Sequence, residues 1–266
     1  MGPVNIRGLT RRDILMAALA VAGATADPLV PLGRPAGQPK RSQRIDHITI
    51  QYPPDIEDAQ IEAFLMRVRD ALEKVQHYLN RTYTGGVLID IDRSHIIPVT
   101  HRGEGKIGVH PNNFAGGDTG VVHELTHLVA DSGSFWVFEG LAVHTNDLFS
   151  WERGFPNYRR PLHEVVARTP PAVLLSLAHL DSLRSVTQGL LQPQWQTAYA
   201  QCGSFVQYAI EALLEGDVRR FMLFHDEGKG QQVGGRPVMP YAKHFARELR
   251  ELERGWIEMI RAQNRR

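Results

Sequence analysis

Two histidines four residues apart, with a glutamate directly after the first, form the most chemically specific segment of the chain: His123-Glu124-Leu125-Thr126-His127. Val121, Val122, Leu125, Leu128 and Val129 frame it with helix-compatible apolar residues, and on a helix positions i and i+4 lie one above the other. Both imidazoles can therefore reach one metal ion at about 2.0–2.1 Å. Glu124 is turned by about 100° around the same axis, toward the open side of such an ion, where it can take a proton from bound water. Chance alone would place this pentapeptide in roughly 3 chains of 100 at this composition, so a second signal is needed. It lies in the next apolar run, Phe135-Trp136-Val137-Phe138-Glu139-Gly140-Leu141-Ala142. An ion held by two neutral imidazoles needs a third protein ligand if one position is to stay open for water, and Glu139 completes a His2Glu set typical of hydrolytic zinc. Eleven residues separate it from His127, room for another helical turn, a tight reversal at Gly133 and a returning antiparallel helix. Gly140 would permit close helix approach, and His144, Asn146 and Asp147 on the same helix are candidates to orient the imidazoles.

A metzincin would need glycine and histidine three and six places after His127, where Ala130 and Gly133 stand. H-E-x-x-H followed by W-x-x-E-G-L-A on a second helix instead resembles the gluzincin metallopeptidases, the peptidase MA-like group. The likeness spans residues 45–266, with a His127-to-Glu139 spacing shorter than in thermolysin or the large aminopeptidases. It implies one zinc ion on His123, His127 and Glu139, Glu124 as general base, and hydrolysis of peptide or protein substrates. It also implies that Ala198–Val206 is the family's tyrosine-bearing helix, with Tyr199 as the catalytic donor to the oxyanion and Tyr208 as the fallback. An aromatic whose hydroxyl merely reaches solvent is the alternative for Tyr199. Lys106–His110 resembles the edge strand along which such enzymes lay an extended substrate, a plain surface strand being the alternative. The aminopeptidase G-x-M-E-N segment is not reproduced by Gly103-Glu104-Gly105, which favours an endopeptidase. A non-catalytic exported scaffold or binding domain that uses the same ligands is the competing class; Glu124 separates the two, since structural zinc has no use for a base beside an open position.

The elements that must position these groups follow from periodicity. The expected fold is α+β and zincin-like: a small N-terminal sheet with a long helix, a two-helix zinc core, and a mainly helical C-terminal subdomain. Ile48, Ile50 and Tyr52 alternate as a strand that Pro53-Pro54 stops; Asp55 is the expected N-cap of a helix whose stripe is Ile56, Ile61, Phe64, Leu65, Val68, Leu72, Val75 and Leu79. Val87–Ile91 and Lys106–His110 read as further strands, and Thr119–Ala130 and Phe135–Phe149 as the zinc helices around an Asp131–Ser134 turn. Beyond Trp151 the segments Leu162–Arg168, Pro171–Leu183, Trp195–Leu214, Asp217–His225 and Tyr241–Ala262 read as helices, with a glycine loop of Gly228, Gly230, Gly234 and Gly235 before the last. The α/β part runs over 45–150 and the helical part over 151–266.

Residues 1–26 divide into a polar start with Arg11-Arg12, an uncharged run from Ile14 to Ala24 and the small-residue end Ala24-Thr25-Ala26, the build of a signal peptide. The paired arginines resemble the bacterial twin-arginine signal, which implies export to the periplasm or beyond. Its 11-residue apolar run is too short for a bilayer span, which needs about 20. Asp27 to Arg44, with four prolines, reads as an extended linker. Thirty Lys and Arg against 29 Asp and Glu give a net charge of +1, and loss of the first segment shifts it two units down to −1. No basic excess is left for a phosphate backbone, so nucleic acid is not an expected partner. The single cysteine, Cys202, forms no intramolecular disulfide and is expected to be a buried packing residue of a monomer. His47, His77, His163, His179 and His244 are expected at the surface or as satisfied core residues.

Overall fold

The computed structural model describes residues 39–130, 133–152, 156, 160–183, 190, 192–233 and 236–263. The segment read as a signal peptide, residues 27–38 of the expected linker, Asp131 and Ser132 of the expected turn, and Gly234 and Gly235 of the expected glycine loop lie outside the described residues. Residues 39–266 form one compact unit.

The chain is α+β. Strand β1 (Arg41–Ile45) and β2 (Ile48–Tyr52) make an antiparallel hairpin, and helix α1 (Asp58–Leu79) carries the chain over to β3 (Val87–Ile91), parallel to β2. Strand β4 (Val99–His101), a 3-10 turn (Arg102–Glu104) and β5 (Lys106–Val109) follow. The sheet order is β1-β2-β3-β5-β4, with β5 parallel to β3 and β4 antiparallel to β5. The alternation read from Ile48, Ile50 and Tyr52 puts those three side chains in the core. Along α1 the stripe from Ile61 to Leu79 is buried, as a 3.6-residue period requires.

Four differences from the sequence reading concern this half. The linker ends sooner, because Arg41 already begins β1. That strand has one apolar residue, and its half-buried positions are Arg41, Gln43 and Ile45. The long polar side chains work as cover for the start of α1: Arg41 donates to the carbonyls of Pro54 and Ile56, and Gln43 to that of Asp58. Asp55 is not the N-cap; Glu57 occupies that position without a side-chain cap bond, and Ile56 packs on the core from outside the helix. Finally, Lys106–Val109 is not an edge strand. It lies between β3 and β4, and the edge belongs to Val99–His101.

Helix α3 (Val121–Val129), which carries His123 and His127, follows a short α2 (Pro111–Gly116), and α4 covers Phe135–Phe149. Downstream come α5 (Leu162–Arg168), α6 (Leu177–Ser182), α7 (Gln192–Tyr208) extended by a π turn (Ala209–Leu213), α8 (Val218–Gly230), a short hairpin of β6 (Gln232–Val233) and β7 (Arg236–Pro237), α9 (Tyr241–Phe245) and α10 (Leu249–Gln263). The helix expected over Pro171–Leu183 forms only in its second half. That expected over Tyr241–Ala262 is broken at Ala246, which adopts a left-handed conformation at φ 53°. Gly228 and Gly230 belong to α8 rather than to a loop; Gly228 is buried where a Cβ would strike the Met239 sulfur.

Helix α4 is the centre of the molecule. It packs on α3 on one side and on α7 on another. Gly140 makes the second contact possible: a Cβ there would lie 2.5 Å from the Cys202 carbonyl oxygen and 2.7 Å from Val206 Cγ2. Trp136, fully buried, donates to the Tyr241 hydroxyl, which donates to Asp181 and so ties α4 to α9 and α6. Cys202 is buried, with its thiol pKa pushed well up by desolvation, as expected of an inert packing residue. No described helix is long and apolar enough to cross a membrane.

Candidate metal centre

Helix α3 is fixed at its N-terminal end. Gly120 precedes it at φ 61°, a conformation that suits glycine, and the buried carboxylate of Glu152 accepts the backbone N–H groups of Thr119 and Gly120 together with the Thr119 hydroxyl. Burial and these donors pull the Glu152 pKa in opposite directions, and burial prevails, raising it. Midway along, the Thr126 and Thr145 hydroxyls meet at 2.5 Å and pin α3 to α4.

With the register of the two helices so set, His123, His127 and Glu139 converge. Among the described residues they form the group of three side chains able to hold a metal ion. The two Nε2 atoms lie 3.0 Å apart, and Glu139 Oε2 lies 3.2 Å from that of His123 and 3.4 Å from that of His127. Ligand atoms placed tetrahedrally about 2.05 Å from one centre would be about 3.3 Å apart, so the three atoms already have the spacing of one face of such a polyhedron. The donor set fits as well, since two imidazoles and a carboxylate are the borderline ligands a divalent transition metal takes. Desolvation would raise the Glu139 pKa, but the two histidines outweigh it and hold the carboxyl well below its ordinary range. Desolvation lowers His127; at His123 it is outweighed by the Glu139 bond and by the Glu124 and Glu139 charges, and the pKa rises.

Glu124 stands outside the ligand trio, on the same helix and buried. Its Oε2 accepts the Thr100 hydroxyl at 2.6 Å, and the same hydroxyl reaches the Glu124 backbone carbonyl at 3.1 Å. Thr100 belongs to β4, so the edge strand of the sheet touches the residue next to the first histidine.

Tyr199 is brought to this place from α7. Its ring centroid lies 5.9 Å from that of His123 and 6.3 Å from that of Phe135. Burial, with the charges of Glu139 and Glu124 beside it, raises its pKa well above 10, so the phenol keeps its proton. Tyr208 is elsewhere: its hydroxyl lies against Gly255 and Arg247, toward α10, which removes it as the fallback. Of the candidates to orient the imidazoles, His144 is hydrogen-bonded through Nε2 to the Tyr78 hydroxyl at 2.7 Å, Asn146 leaves a buried Oδ1 unpartnered among the described residues, and Asp147 is exposed. The His127 ring is held instead by stacking, with Phe138 3.8 Å away at an interplanar angle of 16°, while its buried Nδ1 has no hydrogen-bond partner among the described residues.

Thr100, Phe138 and Glu152 are the residues that sequence reasoning did not reach. Thr100 and Glu152 lie 24 and 32 positions or more from what they touch, with nothing in their own neighbourhood to mark them. Phe138 carried a signal, an aromatic beside the proposed ligand, that was readable only as core. The five histidines expected at the surface or as satisfied core residues are so: His47, His77 and His179 are exposed, His163 is bonded to Ser204, and His244 to Glu227. No protein-family model matches the chain, and no curated protein matches its sequence.

Proposed function

We propose that this chain is an exported zinc metallopeptidase of zincin-like fold, hydrolysing peptide bonds in peptide or protein substrates, more in the manner of an endopeptidase. The observation that carries the reading is the convergence of His123, His127 and Glu139 at tetrahedral spacing with a second carboxylate outside that trio, Glu124, one residue from the first histidine. A zinc ion on those three side chains would act as a Lewis acid, lowering the pKa of water and polarising a carbonyl.

The protein's own groups have separable tasks. Glu124 accepts a proton from the attacking water and returns it to the leaving amine, and Thr100 holds the carboxylate in place by donating to one oxygen. Tyr199, kept protonated, donates to the carbonyl oxygen as negative charge builds there. Among the described residues strand β4 has one partner in the sheet, and it lies beside Glu124, so an extended substrate would pair its backbone along its other side. Export rests on the three-part build of residues 1–26 and the Arg11-Arg12 pair.

Glu124→Gln tests the reading against a non-catalytic scaffold. The variant is expected to bind zinc as the parent does and to lose hydrolysis of a diverse peptide library by at least about 100-fold, read by mass spectrometry. A zinc-loaded parent protein that cuts no peptide in the library overturns the enzyme reading.

A further inference from the structure

Arg102 sits at the rim of the candidate metal centre. It follows β4 directly, in the 3-10 turn, and its side chain is exposed. The guanidinium carbon lies 4.1 Å from the centre of the Phe138 ring, and Phe138 stacks at 3.8 Å on His127, so guanidinium and imidazole are within about 8 Å of each other. A guanidinium resting over an aromatic ring still has N–H groups to offer, and its fork matches the two oxygens of a carboxylate. Among the described residues Arg102 has no ion-pair partner. The neighbouring cation offers a contrast: Lys106, on β5, is bonded to Asp90 at 2.8 Å.

From this geometry we propose that Arg102 is a specificity-determining residue that reads a substrate carboxylate, selecting peptides with Asp or Glu close to the bond that is cut. The proposal rests on the metallopeptidase reading for the position of that bond. An extended peptide advances about 3.4 Å per residue, so a carboxylate on Arg102 belongs to a residue within about three of the one at the metal centre. Arginine at this position supplies both charge and a partly settled position: its guanidinium carbon already rests on the Phe138 ring, so less side-chain freedom is lost when the anion arrives.

The test separates recognition from turnover. Zinc-loaded Glu124→Gln protein is titrated with acetylated, amidated alanine hexapeptides that carry a single Glu or a single Lys at each position in turn. The Glu peptides are expected to bind about tenfold more tightly than the Lys peptides at one or two positions. In Glu124→Gln/Arg102→Glu the preference inverts, and in Glu124→Gln/Arg102→Leu, which keeps an apolar cover on Phe138, it disappears while zinc content is unchanged. Equal affinities in the Arg102 protein, or a preference for Glu that survives either substitution, overturn the proposal. The parent protein's library cleavage reports on the other question: cutting without enrichment of acidic residues sinks the role of Arg102 alone, whereas an acidic preference in binding with no cutting sinks the peptidase reading and leaves Arg102 as an anion receptor.

Discussion

Asp90 and Glu139 are both carboxylates taken largely out of water and flanked by histidine, yet their surroundings differ in kind. Asp90, on β3, receives Lys40, Lys106 at 2.8 Å and His95 at 3.1 Å, and Lys40 also bonds Asp92 at 2.7 Å. Desolvation works to raise the Asp90 pKa; the Lys106, Lys40 and His95 bonds outweigh it and hold the group below its ordinary value. That cluster is closed, with each charge answered by an opposite one already in the chain. Glu139 meets two imidazoles whose ring nitrogens turn toward one another at 3.0 Å as well as toward the carboxylate. Two imidazole nitrogens and a carboxylate oxygen are turned toward one point, an arrangement able to hold a metal ion. What separates the two carboxylates is the kind of neighbour, lysines beside Asp90 and potential metal ligands beside Glu139, and burial alone does not distinguish them.

Exchanging the two carboxylates for uncharged residues should break the comparison most sharply. Glu139→Ala is expected to take zinc content from about one ion per chain to near zero after dialysis, measured by elemental analysis; full retention would remove Glu139 from the ligand set. Asp90→Asn should leave zinc content unchanged and cost about 3 kcal/mol in denaturant unfolding at pH 7, because Lys40 and Lys106 lose their common partner. Its folded pKa is depressed, so its contribution is present above the unfolded value near 4 and is lost as pH falls through the folded one. The stability difference between parent and variant should shrink at low pH.

A second buried histidine sharpens the contrast between donor and ligand. His144 is 2% exposed, and burial, helped by the charge of His163, lowers its pKa to about 4. The unfolded chain binds its proton near pH 6.5 and the folded protein only near 4, so this residue's stabilisation is complete above about 6.5 and falls away as pH drops toward 4, by about 3 kcal/mol. His144→Gln should flatten unfolding stability across that interval, and a slope equal to the parent's would contradict the assignment. The smallest expected effect is that of Phe138→Ala, which removes the surface on which His127 stacks and should weaken zinc binding about tenfold in a competition titration with a chelator. Unchanged affinity would mean that the imidazole is oriented by something else.

Much of this arrangement is local and could be read from the sequence. The i, i+4 spacing puts His123 and His127 on one face whatever surrounds the helix, and the long apolar stripe of α1 and the alternation of β2 need no more than helix and strand geometry. The reach of Glu139 depends on the turn between α3 and α4 and on Gly140, whose missing side chain lets α7 come close; the sequence contained both, although not the identity of the helix that approaches. By contrast, β1 has too few apolar residues to show a period and exists because β2 offers it a hydrogen-bonding edge and α1 a surface for its long side chains. Strand order is decided by pairing between segments far apart, and that pairing placed Val99–His101 outside Lys106–Val109 and so set Thr100 against Glu124 and Arg102 over Phe138. The same distinction separates Tyr199 from Tyr208: both lie on α7, but the packing of that helix on α4 turns one toward His123 and the other toward α10. The sequence determined that His123 and His127 could share a metal, because that depends on spacing along one helix; the tertiary structure decided that Glu139 joins them and which groups surround all three, because those contacts join residues whose separation in the chain carries no period.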